Sequence, residues 1–148
     1  MLSFGMNDAI VVDTNVVVSA LLNPDTAPRA VLRACLAKSV KPLMGNALFA
    51  EYGSVIGRDS IFARSPLSLD ERLAFLDDFY SVCDWVSVYY LWRPNLPDEA
   101  DNHVLELAVA GGARAIVTGN PKDFERTALR FPDIESVSPR EFVNRGGS

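Results

Sequence analysis

The chain has 148 residues, of which 49% are hydrophobic, and carries 14 Lys and Arg against 19 Asp and Glu for a formal charge of -5. That length fits one domain able to bury about 68–70% of its unfolded surface, and the acidic balance argues against a passive binder of nucleic acid held by charge alone, which would be basic. The two cysteines, Cys35 and Cys83, stand in no metal-ligand spacing and read as reduced, buried, small apolar residues. The start MLSFGMNDA and the lack of an apolar run near the roughly 20 residues of a membrane helix read as a cytoplasmic, unexported protein.

Residues 10–12, within IVVDTNVVVSALLNP, form a β-branched run with the composition of a strand buried on both faces. PRAVLRACLAKS (28–39), with Pro28 at a first helical position, predicts a helix. VKPLM (40–44) predicts a short strand, and Asn46 an N-cap for the helix ALFAEYGSVIG. Ser68 and Glu71 form a capping box for LDERLAFLDDFY (69–80), and DWVSVYY (84–90) alternates like a strand. PDEADNHVLELAVAGG predicts a helix stopped by Gly111 and Gly112, followed by a strongly apolar strand at 113–118. A last strand at 134–138 leads into PREFV, where Pro139 opens a final helical turn. There are no repeats or linkers, so one domain over 1–148 is expected, ordered over about 10–143, with a flexible tail at 144–148. Alternating strands and helices predict a parallel, doubly covered α/β sheet, whose ligand sites lie beyond the carboxyl ends of its strands.

Asp13 falls one residue past the most apolar strand, on that edge of the sheet. Capping the next helix or closing a turn would also explain it, as it would Asn15. Glu51 has Ala47, Leu48 and Val55 around it on its helix, so its carboxylate lies along a largely apolar stripe and needs a partner unless it snorkels into solvent. Asp98 and Asp101 share one side of the opening turn of their helix, where two like charges repel unless a cation sits between them; acids in a first turn are also favoured by the helix dipole. In VTGNPKDF (117–124) a strand ends in Thr118, Gly119 and Asn120, and Asn120 and Asp123 offer oxygens at the same edge, as an ordinary polar turn would. Together, Asp13, Glu51, Asp98, Asp101 and Asn120 come from different elements that can converge at one edge of one sheet. Carboxylates without histidine or thiolate partners specify an oxygen-ligand site for Mg²⁺ or Mn²⁺, ions suited to phosphodiester hydrolysis. Cations at the site would also reconcile an acidic chain with a nucleic-acid substrate.

The order VVDTNVVVSALL, then Glu51, then WRPNLPDEADNHVLELAVAGGARAIVTGNPKDF resembles a PIN-domain protein of the toxin type, akin to VapC-like toxin components, over about residues 10–143. The resemblance implies a three-layer α/β/α sandwich around a mostly parallel sheet. It also implies a Mg²⁺-dependent endoribonuclease restrained by a cognate antitoxin. It carries the family's acids to Asp13, Glu51, Asp98 and Asp101 as catalytic and metal-binding residues. The remaining acidic position falls at Asn120, where many relatives have Asp. Asn15 and Thr118 match the family's polar supports, which orient carboxylates or water.

His103, the only histidine, reads as solvent-facing or helix-packing rather than as a general base. Arg29 and Arg33 share a helix face, as do Lys122, Arg126 and Arg130; either set could hold RNA phosphates or form an ordinary solvated face. Trp85, Tyr89, Tyr90 and Trp92 fit core or dimer packing better than base stacking, and a homodimer is expected. Two rival readings remain. A phosphotransfer enzyme of the haloacid-dehalogenase kind wants a second Asp two residues after Asp13, where this chain has Asn15. A catalytically weak or inactive domain that binds RNA or protein is the other, opened by Asn120.

Overall fold

The computed structural model describes residues 3–88, 99–124, 131 and 133–146, with residues 99–102 described by their helical backbone alone. Five short strands form one sheet: β1 (Ala9–Val12), β2 (Lys41–Met44), β3 (Asp84–Trp85), β4 (Ala115–Val117) and β5 (Glu135–Val137). Their order is β3-β2-β1-β4-β5, and every pairing is parallel. The fully buried strand β1 occupies the centre, with Ile10 opposite Pro42 of β2 and Ala115 of β4. This burial on both faces explains why β1 reads as an unbroken apolar run rather than an alternating one.

The helices are α1 (Thr14–Leu22), α2 (Ala27–Leu36), α3 (Asn46–Ile56), α4 (Leu69–Val82), α5 (Glu99–Gly111) and α6 (Pro139–Asn144). The chain steps from β1 to β2 to β3 in one direction and then returns past β1 to β4. Right-handed crossovers place the helices of the outward steps on one face and α5 on the other, which makes the three-layer α/β/α sandwich. Accordingly α5 packs on β1, β2 and β4, while α2 packs against α1, α4 and α6. The order reverses between β1 and β4, so the crevice outside their carboxyl ends is the topological switch point.

Several elements differ from expectation for local reasons. The N-cap of α3 is Gly45, and Asn46 is its first helical residue. A β-carbon at position 45 would stand 3.3 Å from Leu107 Cδ1 and 3.4 Å from the Val86 carbonyl, so any larger residue there would press tightly on α5 and on the chain after β3. Helix α2 stops at Leu36 because Lys38 takes a left-handed φ of 62°, and the N–H of Ser39 turns back onto the Ala34 carbonyl. Strand β3 covers two residues instead of seven. Val86 N–H still reaches the Met44 carbonyl at 2.8 Å, but β2 ends at Met44 and offers nothing beyond to pair with; positions 89 and 90 lie outside the described residues. The capping box of Ser68 and Glu71 is present, with α4 running on to Val82. Both cysteines are free thiols; Cys35 is buried, whereas Cys83 is only partly so. No helix among the described residues is long and apolar enough to cross a membrane.

Candidate functional site at the carboxyl edge of the sheet

Strand register builds the site. Val12 pairs with Val117, so the next residues along the two strands, Asp13 and Thr118, emerge side by side at the switch point. Asp13 N–H donates to the Val117 carbonyl at 2.9 Å, and Thr118 Oγ1 donates to Asp13 Oδ2 at 2.8 Å. Asp13 is also the N-cap of α1, accepting from Thr14 N–H at 2.8 Å through Oδ1. The N-cap of α1 and a place at the switch point are therefore compatible in one carboxylate.

Thr14 joins a second acid to the first. Its hydroxyl donates to Glu51 Oε1 while its backbone N–H holds Asp13. Glu51 Oε2 in turn accepts from His103 Nε2 at 2.7 Å, which links α1, α3 and α5. The partner that Glu51 requires on its apolar stripe is thus Thr14 and His103 together, and His103 is neither solvent-facing nor engaged only in packing. Its Nδ1 is buried with no hydrogen-bond partner among the described residues. Since Glu51 can only accept, a neutral His103 carries its proton on Nε2.

The two carboxylates experience opposite environments. Asp13 is only 6% exposed, and burial pushes its carboxyl above the usual range. Hydrogen bonds from Thr118 and Thr14 pull it back, while the charge of Glu51 pushes it further up. The His103 hydrogen bond holds Glu51 below the usual range against the opposing effect of its own partial burial. A carboxylate that is buried, and repelled by a second one tied to the same threonine, has the chemistry that a hard divalent cation relieves.

Asn15 belongs to the same network. Its Nδ2 lies 3.4 Å from Asp13 Oδ2, and its Oδ1 accepts from Gly119 N–H at 3.0 Å, closing the β4 turn over α1. Asn120 follows on the exposed rim, its N–H donating to Thr118 Oγ1 at 3.1 Å. Its carbonyl accepts from Asp123 N–H within the short 3-10 turn Pro121–Phe124, which also exposes Lys122. Asp101 stands in the first turns of α5, two residues before His103, and its backbone alone is described; Asp98 lies outside the described residues, as do Arg126, Arg130, Tyr89, Tyr90 and Trp92. Among the described residues, no three His, Cys, Asp or Glu side chains come together as a metal-holding group. Arg29 and Arg33 are not brought to Asp13. Arg29 Nε donates to the Ala20 carbonyl at 3.0 Å, about 10 Å along α1 by its rise per residue, and Arg33 reaches the Pro24 carbonyl. Trp85 is half exposed and leans on Phe49 and Tyr80.

The roles of Thr14 and His103 escaped the sequence reading. The demand of Glu51 for a partner, together with a single histidine on the helix that carries Asp101, was the available signal for His103.

A parallel sheet with this order, with Asp13 and Glu51 joined through Thr14 at its switch point, defines an α/β domain of the doubly covered kind. Residues 9–122 match the family model described as PIN domain, and the chain belongs to that family. Among solved structures it is similar to a chain of the VapBC2 structure from Rickettsia felis bound to a DNA fragment from their promoter. That likeness has 19% identity and a TM-score of 0.55, covering 88% of this chain and 98% of that one. No curated protein matches the chain.

Proposed function

We propose that the protein is a Mg²⁺- or Mn²⁺-dependent endoribonuclease that hydrolyses RNA phosphodiester bonds, and that it is the toxin of a toxin-antitoxin pair. The observation that carries the reading is Thr14, which ties Asp13 and Glu51 into one rigid acidic edge at the switch point of a PIN domain. Likeness in fold to a chain of a VapBC2 structure supports the toxin assignment and a cognate antitoxin as partner. A homodimer acting in the cytoplasm accords with the same reading.

Asp13 and Glu51, joined by Asp98, Asp101 and Asn120, would hold the cation. When bound, it would supply charge to polarise the scissile phosphate and to make water more acidic. The chain's own contribution is positioning. Thr118 and Asn15 hold Asp13 Oδ2, Thr14 holds one oxygen of each acid, and His103 orients the other oxygen of Glu51. Such fixed orientation of ligating carboxylates lowers the reorganisation needed on reaching the transition state. Lys122, exposed two residues after Asn120, would meet an RNA phosphate.

The test is cleavage of single-stranded RNA by purified protein with Mg²⁺ or Mn²⁺, and again with EDTA. Cleavage that requires the cation and disappears in Asp13→Asn supports the reading. RNA binding without cleavage would instead identify a binding domain that has kept the fold.

A further inference from the structure

The peptide that leads into Asp13 is held by both of its polar atoms. Its N–H, on Asp13, donates to the Val117 carbonyl of β4 at 2.9 Å, and its carbonyl, on Val12, accepts from the Tyr52 hydroxyl of α3. The second bond stands where strand pairing runs out. The Asp8 carbonyl accepts from Lys41 N–H on the β2 side of the chain, and alternation along β1 turns the Val12 carbonyl to that same side. β2 ends at Met44, and the donor that meets Val12 is the Tyr52 side chain instead. Tyr52 shares the buried face of α3 with Leu48 and Ile56, and its ring is fully buried beside Phe79 and Tyr80, with centroids 6.0 and 6.5 Å away.

We propose that Tyr52 is a positioning residue for the acidic site: the adjacent α3 residues Glu51 and Tyr52 grip Thr14 and Val12, the two neighbours of Asp13, and so fix the placement of one acid relative to the other. The inference rests on the metal-dependent ribonuclease reading above. Successive helical residues project about 100° apart, which sends Tyr52 into the core and leaves Glu51 to face Thr14 and His103. One turn of α3 therefore bears Glu51 and also anchors the backbone of Asp13. Thr14 and Thr118 hold the Asp13 carboxylate from its side-chain end, but they leave the peptide before it to be fixed from elsewhere. With its N–H on β4 and its carbonyl on Tyr52, that peptide cannot rotate without breaking a buried hydrogen bond. The phenol acts on the acids through the backbone of β1 rather than on a cation or substrate. Misplacement of a ligand by a fraction of an ångström is what such a clamp prevents, and supports standing behind a metal ligand typically matter by about 10- to 100-fold in metal affinity or activity.

Tyr52→Phe in the full chain removes one oxygen and keeps the ring. Three measurements separate positioning from stability. In EDTA, residue-resolved amide hydrogen exchange should show the Asp13 and Thr14 amides losing roughly tenfold more protection than those of Val11 and Ile116, a local opening that involves neither metal nor RNA. Calorimetry should show Mn²⁺ binding weakened by roughly tenfold. Cleavage of single-stranded RNA at saturating Mn²⁺ should lose kcat with little change in the KM for RNA. Phe142→Leu, in the core where α6 meets Phe4, is the comparison for lost stability alone: it should lower protection uniformly and leave Mn²⁺ affinity and kcat at wild-type values. If Tyr52→Phe folds incompletely, all proteins are compared in trimethylamine N-oxide, which favours the compact state, and the same differences are expected there. A uniform loss of protection with unchanged Mn²⁺ affinity and kcat would overturn the proposal and leave the nuclease reading standing. A wild type that binds Mn²⁺ without cleaving RNA, with that binding weakened in Tyr52→Phe, would overturn the nuclease reading and support the clamp. No Mn²⁺ binding by the wild type would overturn both.

Discussion

His103 Nε2 lies 2.7 Å from Glu51 Oε2, bringing together residues 52 positions apart on two helices. The contact pulls the Glu51 carboxyl below its ordinary value, with the Thr14 hydroxyl adding to the effect. A carboxyl whose folded value is depressed contributes stability above its unfolded value and loses it as pH falls through the folded one. In metal-free buffer, Glu51→Gln should therefore be less stable than the wild type near neutrality by about 1 kcal/mol, the scale of a charge-assisted hydrogen bond exchanged for a neutral one. The gap should close in acid. Denaturant melts of both proteins at the two ends of that range check it, and a gap that persists in acid would mean that the loss is one of packing.

Divalent cations give a second reading of the same residue. A ligand that binds only the folded state stabilises it by mass action, about 2.7 kcal/mol at a hundredfold excess over its dissociation constant. Mg²⁺ or Mn²⁺ should raise the melting temperature of the wild type and raise that of Glu51→Gln much less, while EDTA returns each to its own baseline. Absence of any shift in the wild type would count heavily against the metal site.

Asp13 should behave in the opposite sense. Burial, the main cause, and the nearby Glu51 charge hold its carboxyl above the ordinary value. Its contribution to stability is thus complete below the unfolded value and is lost as pH rises through the folded one. Asp13→Asn keeps an effective N-cap for α1 and removes that penalty. The variant should be at least as stable as the wild type near neutrality without metal, should lose this advantage in acid, and should not cleave RNA at all. Thermal melts at several pH values and a cleavage assay decide it; normal cleavage would sink the assignment of Asp13.

What the sequence made legible follows from where the information is local. β1, the capping box at Ser68 and the stop at Gly112, whose φ is +66°, each depend on a few adjacent residues. The placement of Asp13 beyond β1 followed from the topology that those elements imply. The register that sets Val12 beside Val117, and so Asp13 beside Thr118, is a pairing across the whole chain that no local pattern carries. Gly45 as a cap was hidden for the same reason, because the tight space around it is set by Leu107 on a distant helix. Strand β3 was overread because alternation continues after its partner strand has ended at Met44.

Thr14 offers a test of positioning apart from charge. Thr14→Val removes the hydroxyl on Glu51 and retains the N–H on Asp13. The loss of one partly buried hydrogen bond should cost about 1 kcal/mol of stability. The cleavage rate at saturating metal should fall by more than that alone implies, since both acids lose their common tether. Thr14→Ser restores a hydroxyl with nearly the same reach and should recover most of the rate. If the valine and serine variants cleave equally well, the tether has no part in catalysis.

Asn120 falls where the resemblance to PIN-domain toxins leads one to expect an Asp, and the structure sets it on the exposed rim, with its N–H on Thr118 Oγ1. An amide oxygen can ligate Mg²⁺ or Mn²⁺ but brings no negative charge to offset stripping water from the ion, so the present site should bind more weakly than one made of carboxylates alone. Asn120→Asp should tighten Mn²⁺ binding and lower the metal concentration giving half-maximal RNA cleavage. Its effect on metal-free stability should be small, because the backbone bond to Thr118 is untouched and a rim carboxylate stays solvated. The opposing force is repulsion: Asp13 already sits above its ordinary range partly because of the charge on Glu51, and a further acid nearby would add to that strain unless the ion neutralises it. Calorimetric titration of both proteins with Mn²⁺ near neutrality separates the cases. Tighter binding places the position 120 side chain on the ion, unchanged affinity puts it outside the coordination sphere, and weaker affinity means that Asp13, Glu51 and their neighbours already carry more charge than the bound cation can balance.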